Sequence, residues 1–361
     1  MFRSRPASLL HPALAAAVLL LAACGQPQGA TDRSATSVAE APAPVQPDPA
    51  KGEVNLYTAR HYDADQLIYD GFTRATGIKV NRLESRPDQL VERLRNEGEA
   101  SPADVVLMAD AGALHRAEAA GVLQPVASAT LEQRIPAALR DPEGLWWGFS
   151  RRARVIAVPV AQGGEPLGYA DLATPRFKGR VCARPADNVY NLSLIAALIE
   201  QWGRPRTLQW ARGVVANFAR PPQGGDIDQI RAVATGVCGA AMVNTYYALR
   251  LMRSAEAADR DVAAKVALIF PEPTHVNISG AGVARHAPNR ANAVRFLEYL
   301  ASDEAQRIFA DANSEYPAVP GVQPPEAVAR FARFTPDPTP VNVYGERQAE
   351  AQALLDEAGW R

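Results

Sequence analysis

The sequence predicts an α/β protein built as two lobes with a ligand cleft between them. Short apolar runs alternate with amphipathic helical segments from residue 54 onward, and this alternation is typical of βαβ units with parallel strands. The chain has 361 residues, which corresponds to about two domains of ordinary size. In such folds, ligands usually bind between domains or at the carboxyl edge of the sheet.

The elements of the first lobe follow from apolar periodicity and from helix start and stop signals. In order, they are a strand at 54–58, a helix ending at Gly77, a strand at 78–83, a helix from Pro87 to Gly98, a buried strand at 105–108 and a helix from 111 to Gly121. Residues 146–159 are predicted to form two extended pieces around a polar turn, which carry the chain into the second lobe. We place the first lobe at 52–153 plus about 271–320.

The second lobe, placed at 154–270, repeats the alternation. Its predicted elements are a strand near Val181, helices at 191–203 and 206–218, a helix opening at Asp226, a strand at 240–243, a helix at 246–252 and a strand at 266–270. Helices at 289–300 and 303–312 follow, and residues 321–361 form a C-terminal segment that packs on the lobes.

The first 51 residues predict export and attachment to a membrane. Arg3 and Arg5 precede an apolar run at 13–23, which is too short to span a bilayer and is typical of a signal peptide. The run ends in Leu-Ala-Ala-Cys, which resembles a bacterial lipobox, so residues 1–23 form a lipoprotein signal peptide and Cys24 is lipidated. An ordinary signal peptide with a chance cysteine is the alternative. Residues 24–51, rich in Pro, Ala and Gln, form a flexible tether in the periplasm.

Composition and cysteine content narrow the function classes. Hydrophobic residues make up 47% of the chain and charged residues 21%, as in ordinary globular proteins. The 38 basic and 39 acidic residues give a net charge of -1, which indicates no nucleic-acid-binding surface. Outside the signal peptide and its terminal cysteine, Cys182 and Cys238 remain. An oxidising compartment favours a disulfide between them over two buried free thiols.

The sequence gives little support for an enzyme. No Gly-x-Ser-x-Gly, His-Glu-x-x-His or phosphate-binding loop motif occurs after residue 51, and no Cys-x-x-Cys pair could hold zinc. A lipid-anchored enzyme that reuses the same fold is the alternative from another class, and it would need a nucleophile and a base near the cleft. We therefore predict a binding protein.

Four tyrosines and a histidine lie where predicted strands pass into helices. His61 and Tyr62 follow the first strand, Tyr190 precedes a helix of the second lobe, and Tyr246 and Tyr247 follow the strand at 240–243. In a parallel sheet these junctions share the ligand-binding edge. A phenol has a pKa near ~10, but a strongly acidic cation displaces its proton and binds the hard phenolate oxygen. Several phenolates favour a hard trivalent ion, so we expect Fe(III).

Any single tyrosine can also have a purely structural role, as a half-buried ring whose hydroxyl binds a backbone carbonyl. We expect this arrangement for the remaining six, Tyr57, Tyr69, Tyr169, Tyr299, Tyr316 and Tyr344. A tyrosine pair could equally stack on an organic or anionic solute such as a polyamine, thiamine or a phosphonate, which is the alternative function. Asp63, Asp65 and Asp110 are expected to be helix N-caps.

Six short motifs carry a resemblance to a known family. They are Arg60-His61-Tyr62, Ser101-Pro102-Ala103-Asp104-Val105, Arg152-Ala153-Arg154-Val155-Ile156, Asn188-Val189-Tyr190-Asn191, Asn244-Thr245-Tyr246-Tyr247 and Asn277-Ile278-Ser279-Gly280-Ala281-Gly282. With these motifs the chain resembles the bacterial periplasmic ferric-iron-binding proteins, the substrate-binding components of iron ABC importers. The resemblance implies a type 2, transferrin-like periplasmic-binding-protein fold.

The resemblance also implies roles for particular residues. Tyr246 and Tyr247 match the family's paired iron-binding tyrosines, and Tyr62 and Tyr190 match the further tyrosines of its tyrosine-rich branch. His61 matches a histidine that binds iron in some members and not in others.

Two further positions distinguish the branches of that family. Ala109 stands where one branch has a glutamate ligand, which favours the four-tyrosine site. Arg152 matches a positively charged residue near the site, and both Arg152 and Arg60 could offset the phenolate charge. Ion pairing on the surface or between the lobes is the alternative role for Arg152.

By the same resemblance, Fe(III) is the transported ligand, with a small synergistic anion or water completing its coordination. The partner is an ABC permease in the inner membrane. The protein is expected to be a monomer in the periplasm, held to a membrane through the lipid on Cys24.

Overall fold

The computed structural model describes residues 52–164 and 167–361. The predicted signal peptide at 1–23, the lipidation site at Cys24 and the tether at 24–51 lie outside the described residues. Within those two ranges, no helix combines the length and the apolar character that crossing a membrane requires.

Strands and helices alternate through both halves of the described chain. The strands are β1 Glu53–Thr58, β2 Lys79–Glu84, β3 Val105–Met108, β4 Leu123–Gln124, β5 Trp147–Pro159, β6 Val181–Cys182, β7 Ala240–Asn244, β8 Val266–Ile269, β9 Val276–Ala284 and β10 Tyr316–Pro317. The helices are α1 Gln66–Thr76, α2 Pro87–Glu97, α3 Ala111–Ala119, α4 Ala129–Arg134, α5 Val189–Trp202, α6 Arg204–Ala216, α7 Asp226–Ala234, α8 Thr245–Arg253, α9 Ala257–Ala264, α10 Arg290–Leu300, α11 Asp303–Asn313, α12 Glu326–Ala329, α13 Asn342–Glu346 and α14 Gln348–Ala358.

The sheet is mixed, not purely parallel as the alternation predicts. Its main strand order is β2-β1-β3-β9-β5-β7-β6. β1 runs parallel to β2 and β3, and β6 runs parallel to β7, as βαβ units require. β5 and β9 are antiparallel to their neighbours because they carry the chain out of the first lobe and back into it.

β5 is the element that joins the two lobes. The predicted polar turn within 146–159 is wrong, because one strand runs through this segment with a register shift between Gly148 and Ser150. Residues up to Ala153 pair with β9, whereas residues from Arg154 onward pair with β7 and β8. The arginines of this polar run stay within the strand because buried carboxylates and carbonyls bind them. β9, the other crossing strand, has no counterpart among the predicted elements.

The helix after β1 shows how local signals set the first junction. α1 ends at Gly77, whose left-handed φ of 75° is available to glycine without strain and whose N–H binds the carbonyl of Thr73. Ile68 and Phe72 are buried, whereas Leu67 is 54% exposed. Asp65 does not cap the helix with its side chain. Its carboxylate is buried against a guanidinium instead.

The C-terminal segment contacts both lobes. α14 packs on α5 and α6 of the second lobe, whereas α13 packs on α5 and also on α3 of the first lobe. Trp360, near the chain end, is buried, and its Nε1 donates to the backbone carbonyl of Arg184 at 3.0 Å. The segment therefore packs against helices of both lobes and against the loop that carries Arg184.

Candidate metal centre

The four predicted tyrosines come from three strand-to-helix junctions. Tyr62 lies in extended backbone between β1 and α1, in the first lobe. Tyr190 is in the first turn of α5, where Asn188 caps the helix by accepting from the Tyr190 N–H at 3.2 Å. Tyr246 and Tyr247 open α8 directly after β7. The centre is thus supplied by both lobes.

The tyrosine hydroxyl groups converge. Tyr62 Oη donates to Tyr246 Oη at 3.2 Å, and Tyr190 Oη lies 3.1 Å from the same oxygen. The rings of Tyr246 and Tyr247 lie side by side, with centroids 4.2 Å apart and planes at 32°. Oxygen atoms at such separations can contact one metal ion together. The structure therefore brings Tyr62, Tyr190, Tyr246 and Tyr247 into one group.

Burial keeps these tyrosines protonated. Tyr246 is fully buried, and the other three are half-buried. Burial raises the pKa of Tyr62, Tyr190 and Tyr246, and it raises the pKa of Tyr247 to about 12. Negative charge on a neighbouring phenolate raises the pKa of each of them further. At neutral pH the group is a set of hydrogen-bonded phenols that a strongly acidic cation would ionise.

Arg60 and Arg152, the two arginines singled out in the sequence, both lie at this centre. The Arg60 guanidinium is 4.7 Å from the ring centroid of Tyr62, and that of Arg152 is 5.4 Å from the ring centroid of Tyr190. Each arginine is 1% exposed. Guanidinium groups at these distances interact favourably with aromatic rings, and more strongly with a phenolate.

These two arginines are themselves held by ion pairs. Arg60 bonds to Asp65 at 2.8 Å, to Glu315 at 3.0 Å and to Ser279 Oγ at 2.5 Å. Arg152 donates to Ser279 Oγ at 3.0 Å and to the backbone carbonyls of Ile278 and Ala109. Asp110 and Glu315 each lie 3.7 Å from the Arg152 guanidinium, so its ion pairs are buried within the first lobe and do not lie on the surface or between the lobes, as the alternative expected.

Three more arginines lie at the centre without having been predicted there. Arg154 and Arg184 lie 5.8 and 5.2 Å from the ring centroid of Tyr190. Arg250 lies 4.4 Å from the ring centroid of Tyr62 and 5.3 Å from that of Tyr246. Arg250 follows Tyr246 by one helical turn, so the spacing of four residues is a usable signal. Arg154 and Arg184 give no comparable local signal.

His61 is not brought to the tyrosines. Its imidazole Nδ1 contacts Glu84 Oε1 on β2, and its side chain is 54% exposed. The chain direction after β1 places Tyr62 toward the second lobe and His61 toward solvent.

The aspartates expected to cap helices behave differently from one another. Asp110 caps α3 by accepting from the Gly112 N–H at 2.8 Å, and burial raises its pKa to about 6. Asp65 binds Arg60 through both carboxylate oxygens, so its predicted capping role is wrong. Asp63 also provides no side-chain cap. Arg60, which binds Asp65, lies only five positions earlier in the chain.

Two other features bear on the centre. Cys182 and Cys238 are joined by a disulfide bond with Cα atoms 5.8 Å apart, at the end of β6 and just before β7. Across residues 52–164 and 167–361, no group of three or more His, Cys, Asp or Glu side chains is arranged to hold a metal ion. In those ranges, tyrosine oxygens are the grouped donors.

Comparisons with known proteins place the chain in a family. The family described as "Bacterial extracellular solute-binding protein" matches residues 100–349. Iron uptake protein A2 of Synechocystis sp. is 46% identical over 316 residues, which is 85% of this chain and 90% of that protein. Iron uptake protein A1 of the same organism is 44% identical over 348 residues, 95% of this chain and 93% of that protein.

A solved structure extends the similarity to the fold. The Trichodesmium protein IdiA (FutA), in complex with iron and citrate ligands, is 50% identical, with a TM-score of 0.83. The match covers 86% of this chain and 100% of the Trichodesmium chain. The chain therefore belongs to the family of bacterial extracellular solute-binding proteins and has their two-lobed periplasmic-binding fold.

Proposed function

We propose that this protein is the extracytoplasmic substrate-binding component of an iron ABC importer and that it captures Fe(III) through tyrosinate ligands. Tyr62, Tyr190, Tyr246 and Tyr247 are the ligands. The observation that carries the proposal is the convergence of hydroxyl groups from both lobes, within 3.2 Å of the Tyr246 oxygen. Rings arranged to stack on an organic solute would not need their hydroxyl groups to meet. The iron names of the Synechocystis and Trichodesmium relatives support the same ligand.

Charge balance explains how the centre holds a trivalent ion. Four phenolates on Fe(III) leave one net negative charge, and five guanidinium groups lie against the tyrosine rings, those of Arg60, Arg152, Arg154, Arg184 and Arg250. Of these, Arg250 has no ion pair among the described residues, so its charge is available to the phenolates. A small anion or water completes the coordination, in keeping with the citrate bound with iron in the Trichodesmium protein.

Capture and delivery follow from ligands supplied by both lobes. A ligand favours the closed form only by as much as it binds that form better. Fe(III) bound by Tyr62 from one lobe and by Tyr190, Tyr246 and Tyr247 from the other provides that difference. The closed form then delivers iron to a permease in the inner membrane, and the protein acts as a monomer without catalytic activity.

The remaining parts of the proposal concern organisation and location. We place the lobes at 52–153 plus about 271–320 and at 154–270, and the change of β5 partners between Ala153 and Arg154 supports this division. Residues 321–361 form a C-terminal segment that packs on both lobes. The protein lies in the periplasm, where the lipid on Cys24 anchors it to a membrane. Residues 24–51 are a flexible tether between this anchor and the folded lobes.

The ligand assignment is tested by equilibrium competition with citrate for Fe(III), using the mature chain. Each change Tyr62→Phe, Tyr190→Phe, Tyr246→Phe and Tyr247→Phe is expected to weaken binding by more than the roughly 10–100-fold that loss of an outer-sphere partner costs. His61→Ala is expected to stay within about twofold of the unmodified protein, as for an exposed residue.

Tyr299→Phe is the matched control. Tyr299 lies on α10, where its ring packs against that of Phe72 with centroids 5.6 Å apart. The proposal predicts unchanged iron binding in this variant. If the four centre variants bound iron as tightly as Tyr299→Phe, the tyrosinate assignment would be wrong. A large loss in His61→Ala would add the histidine to the ligands.

A further inference from the structure

Asp226 forms hydrogen bonds with several residues that adjoin the tyrosines of the second lobe. It is the first residue of α7, and its carboxylate is fully buried. One oxygen, Oδ2, accepts from Arg154 Nη1 at 2.8 Å and from the backbone N–H of Asn244 at 2.7 Å. The other oxygen, Oδ1, accepts from Arg184 Nη1 at 3.3 Å. This one carboxylate thus holds two guanidinium groups and a strand end.

Each of these partners adjoins a tyrosine. Asn244 is the last residue of β7, two positions before Tyr246, so its N–H fixes the start of α8. Both guanidinium groups lie against the Tyr190 ring. Arg154 also donates to Asn191 Oδ1 at 3.0 Å, beside Tyr190 on α5. Asp226 is therefore connected to both junctions of the second lobe.

We propose that Asp226 is a positioning residue of the iron centre: it fixes Arg154 and Arg184 under Tyr190 and fixes the strand end that carries Tyr246 and Tyr247. This inference rests on the proposed function. Without the carboxylate, two neighbouring cations lose their shared partner in a buried place, which is costly unless they move. Their movement would carry the Tyr190 ring with it.

The loop that carries Arg184 is held independently of Asp226. The backbone carbonyl of Arg184 accepts from Trp360 Nε1 at 3.0 Å and from Asn191 Nδ2 at 3.1 Å. The disulfide at Cys182 anchors the same loop two residues earlier. Loss of the Asp226 charge is therefore expected to shift the guanidinium groups and Tyr190 while the loop keeps its place.

Asp226→Asn is the variant that tests this role. Asparagine keeps the size of the side chain and one carbonyl oxygen that can accept from the Asn244 N–H. It removes the negative charge and replaces the other oxygen, which accepts from Arg184, by an NH2 group that cannot accept. Asp228→Asn is the matched control. Asp228 lies on the same helix, is exposed, and accepts only from the Gly225 N–H, at 2.7 Å, among the described residues.

Two readouts separate positioning from mere structural support: the Fe(III) affinity in competition with citrate, and the visible tyrosinate-to-iron absorption of the loaded protein. Asp226→Asn is expected to bind iron at least about tenfold more weakly, with a shifted absorption maximum, because a hydrogen bond to a charged group is lost. Asp228→Asn is expected to match the unmodified protein in both. An Asp226→Asn protein with lower thermal stability but unchanged affinity and absorption would overturn the inference.

Two further variants keep the test decisive. If Asp226→Asn does not fold, Arg184→Gln breaks the Arg184–Asp226 ion pair by changing its more exposed partner. This variant is expected to shift the absorption maximum in the same way, and an unchanged maximum would overturn the inference. In a Tyr190→Phe background, Asp226→Asn is expected to cost less affinity than it does alone, and an equal cost would also overturn it. Failure of the unmodified protein to bind iron would instead refute the proposed function.

Discussion

The hydroxyl groups of Tyr62, Tyr190 and Tyr246 form a hydrogen-bonded cluster of phenols whose protons a metal ion must displace. Burial disfavours the ionised form of each, and the first phenolate formed disfavours the next. A weakly acidic cation gains little from such a group, whereas a small trivalent ion gains enough from several hard oxygen atoms to displace the protons. The raised pKa values therefore favour Fe(III) over softer ions.

Iron binding is predicted to release protons and to strengthen as the pH rises. The pKa of each ligand tyrosine lies above its ordinary value, and that of Tyr247 is about 12, so below that range every tyrosine that binds iron gives up one proton. The affinity for free Fe(III) should then rise about tenfold per pH unit for each such tyrosine. Calorimetry in buffers of different ionisation enthalpy counts the protons, after correction for those of the iron chelate.

Tyr246→Phe supplies the control for that count, because it removes one ionisable ligand. We expect one proton fewer in this variant and the full number in Tyr299→Phe. A proton count that stays the same when Tyr246 is changed would show that its phenol is not ionised by iron.

At the residue scale, the sequence predicts what the chain direction determines and fails where distant partners decide. Tyr62, Tyr190, Tyr246 and Tyr247 lie at strand-to-helix junctions, which must meet at one edge. His61 and Asp65 lie beside the first of these junctions, but Glu84 binds the former, and Arg60 binds the latter. Arg60 is bound in turn by Glu315, 255 positions further along the chain. No local pattern indicates such pairs.

At the scale of elements, periodicity is sufficient for helices and fails for the crossing strands. α1, α2 and α3 end close to the predicted glycine stops. The polar run in β5 resembles a turn because arginine side chains are usually exposed in proteins. Here ion pairs with Asp110 and Asp226 allow Arg152 and Arg154 to be buried, and a hydrophobic pattern does not show such pairs. β9 is not predicted because its glycines are unfavourable in strands unless another backbone lies close. Cβ atoms at Gly280 and Gly282 would fall within 2.5 and 2.3 Å of the backbone oxygens of Trp147 and Leu145.

The disulfide is predicted to stabilise the second lobe. It links positions 56 residues apart. Closing a loop of that length lowers the entropy of the unfolded chain, which stabilises the folded state by about 4 kcal/mol in the entropy model; typical measured values are about 2–4 kcal/mol. The double change Cys182→Ala and Cys238→Ala should lower the free energy of unfolding by about that amount in urea titrations under non-reducing conditions. The unmodified protein in reducing buffer should approach the same value. Equal stability of the oxidised protein and the double variant would contradict this role.

At the scale of the whole molecule, the two lobes and their joining strand explain why one ion can control the conformation. Tyr62 belongs to the lobe of β1, while Tyr190, Tyr246 and Tyr247 belong to the lobe of β6 and β7. The Tyr62 hydroxyl group meets that of Tyr246 only when the lobes come together. The two-lobed α/β class follows from length and alternation, but the crossing by β5 and the C-terminal contacts with both lobes depend on long-range packing that a sequence pattern does not show.

The measurement that tests the central claim most directly is a visible absorption titration of the mature chain with ferric citrate. Phenolate bound to Fe(III) gives a broad charge-transfer band in the visible range, where protein side chains do not absorb. The account predicts a band that saturates at one iron per chain and that shifts or weakens in Tyr246→Phe but not in Tyr299→Phe. Absence of the band, together with no effect of iron on the thermal unfolding temperature, would contradict it.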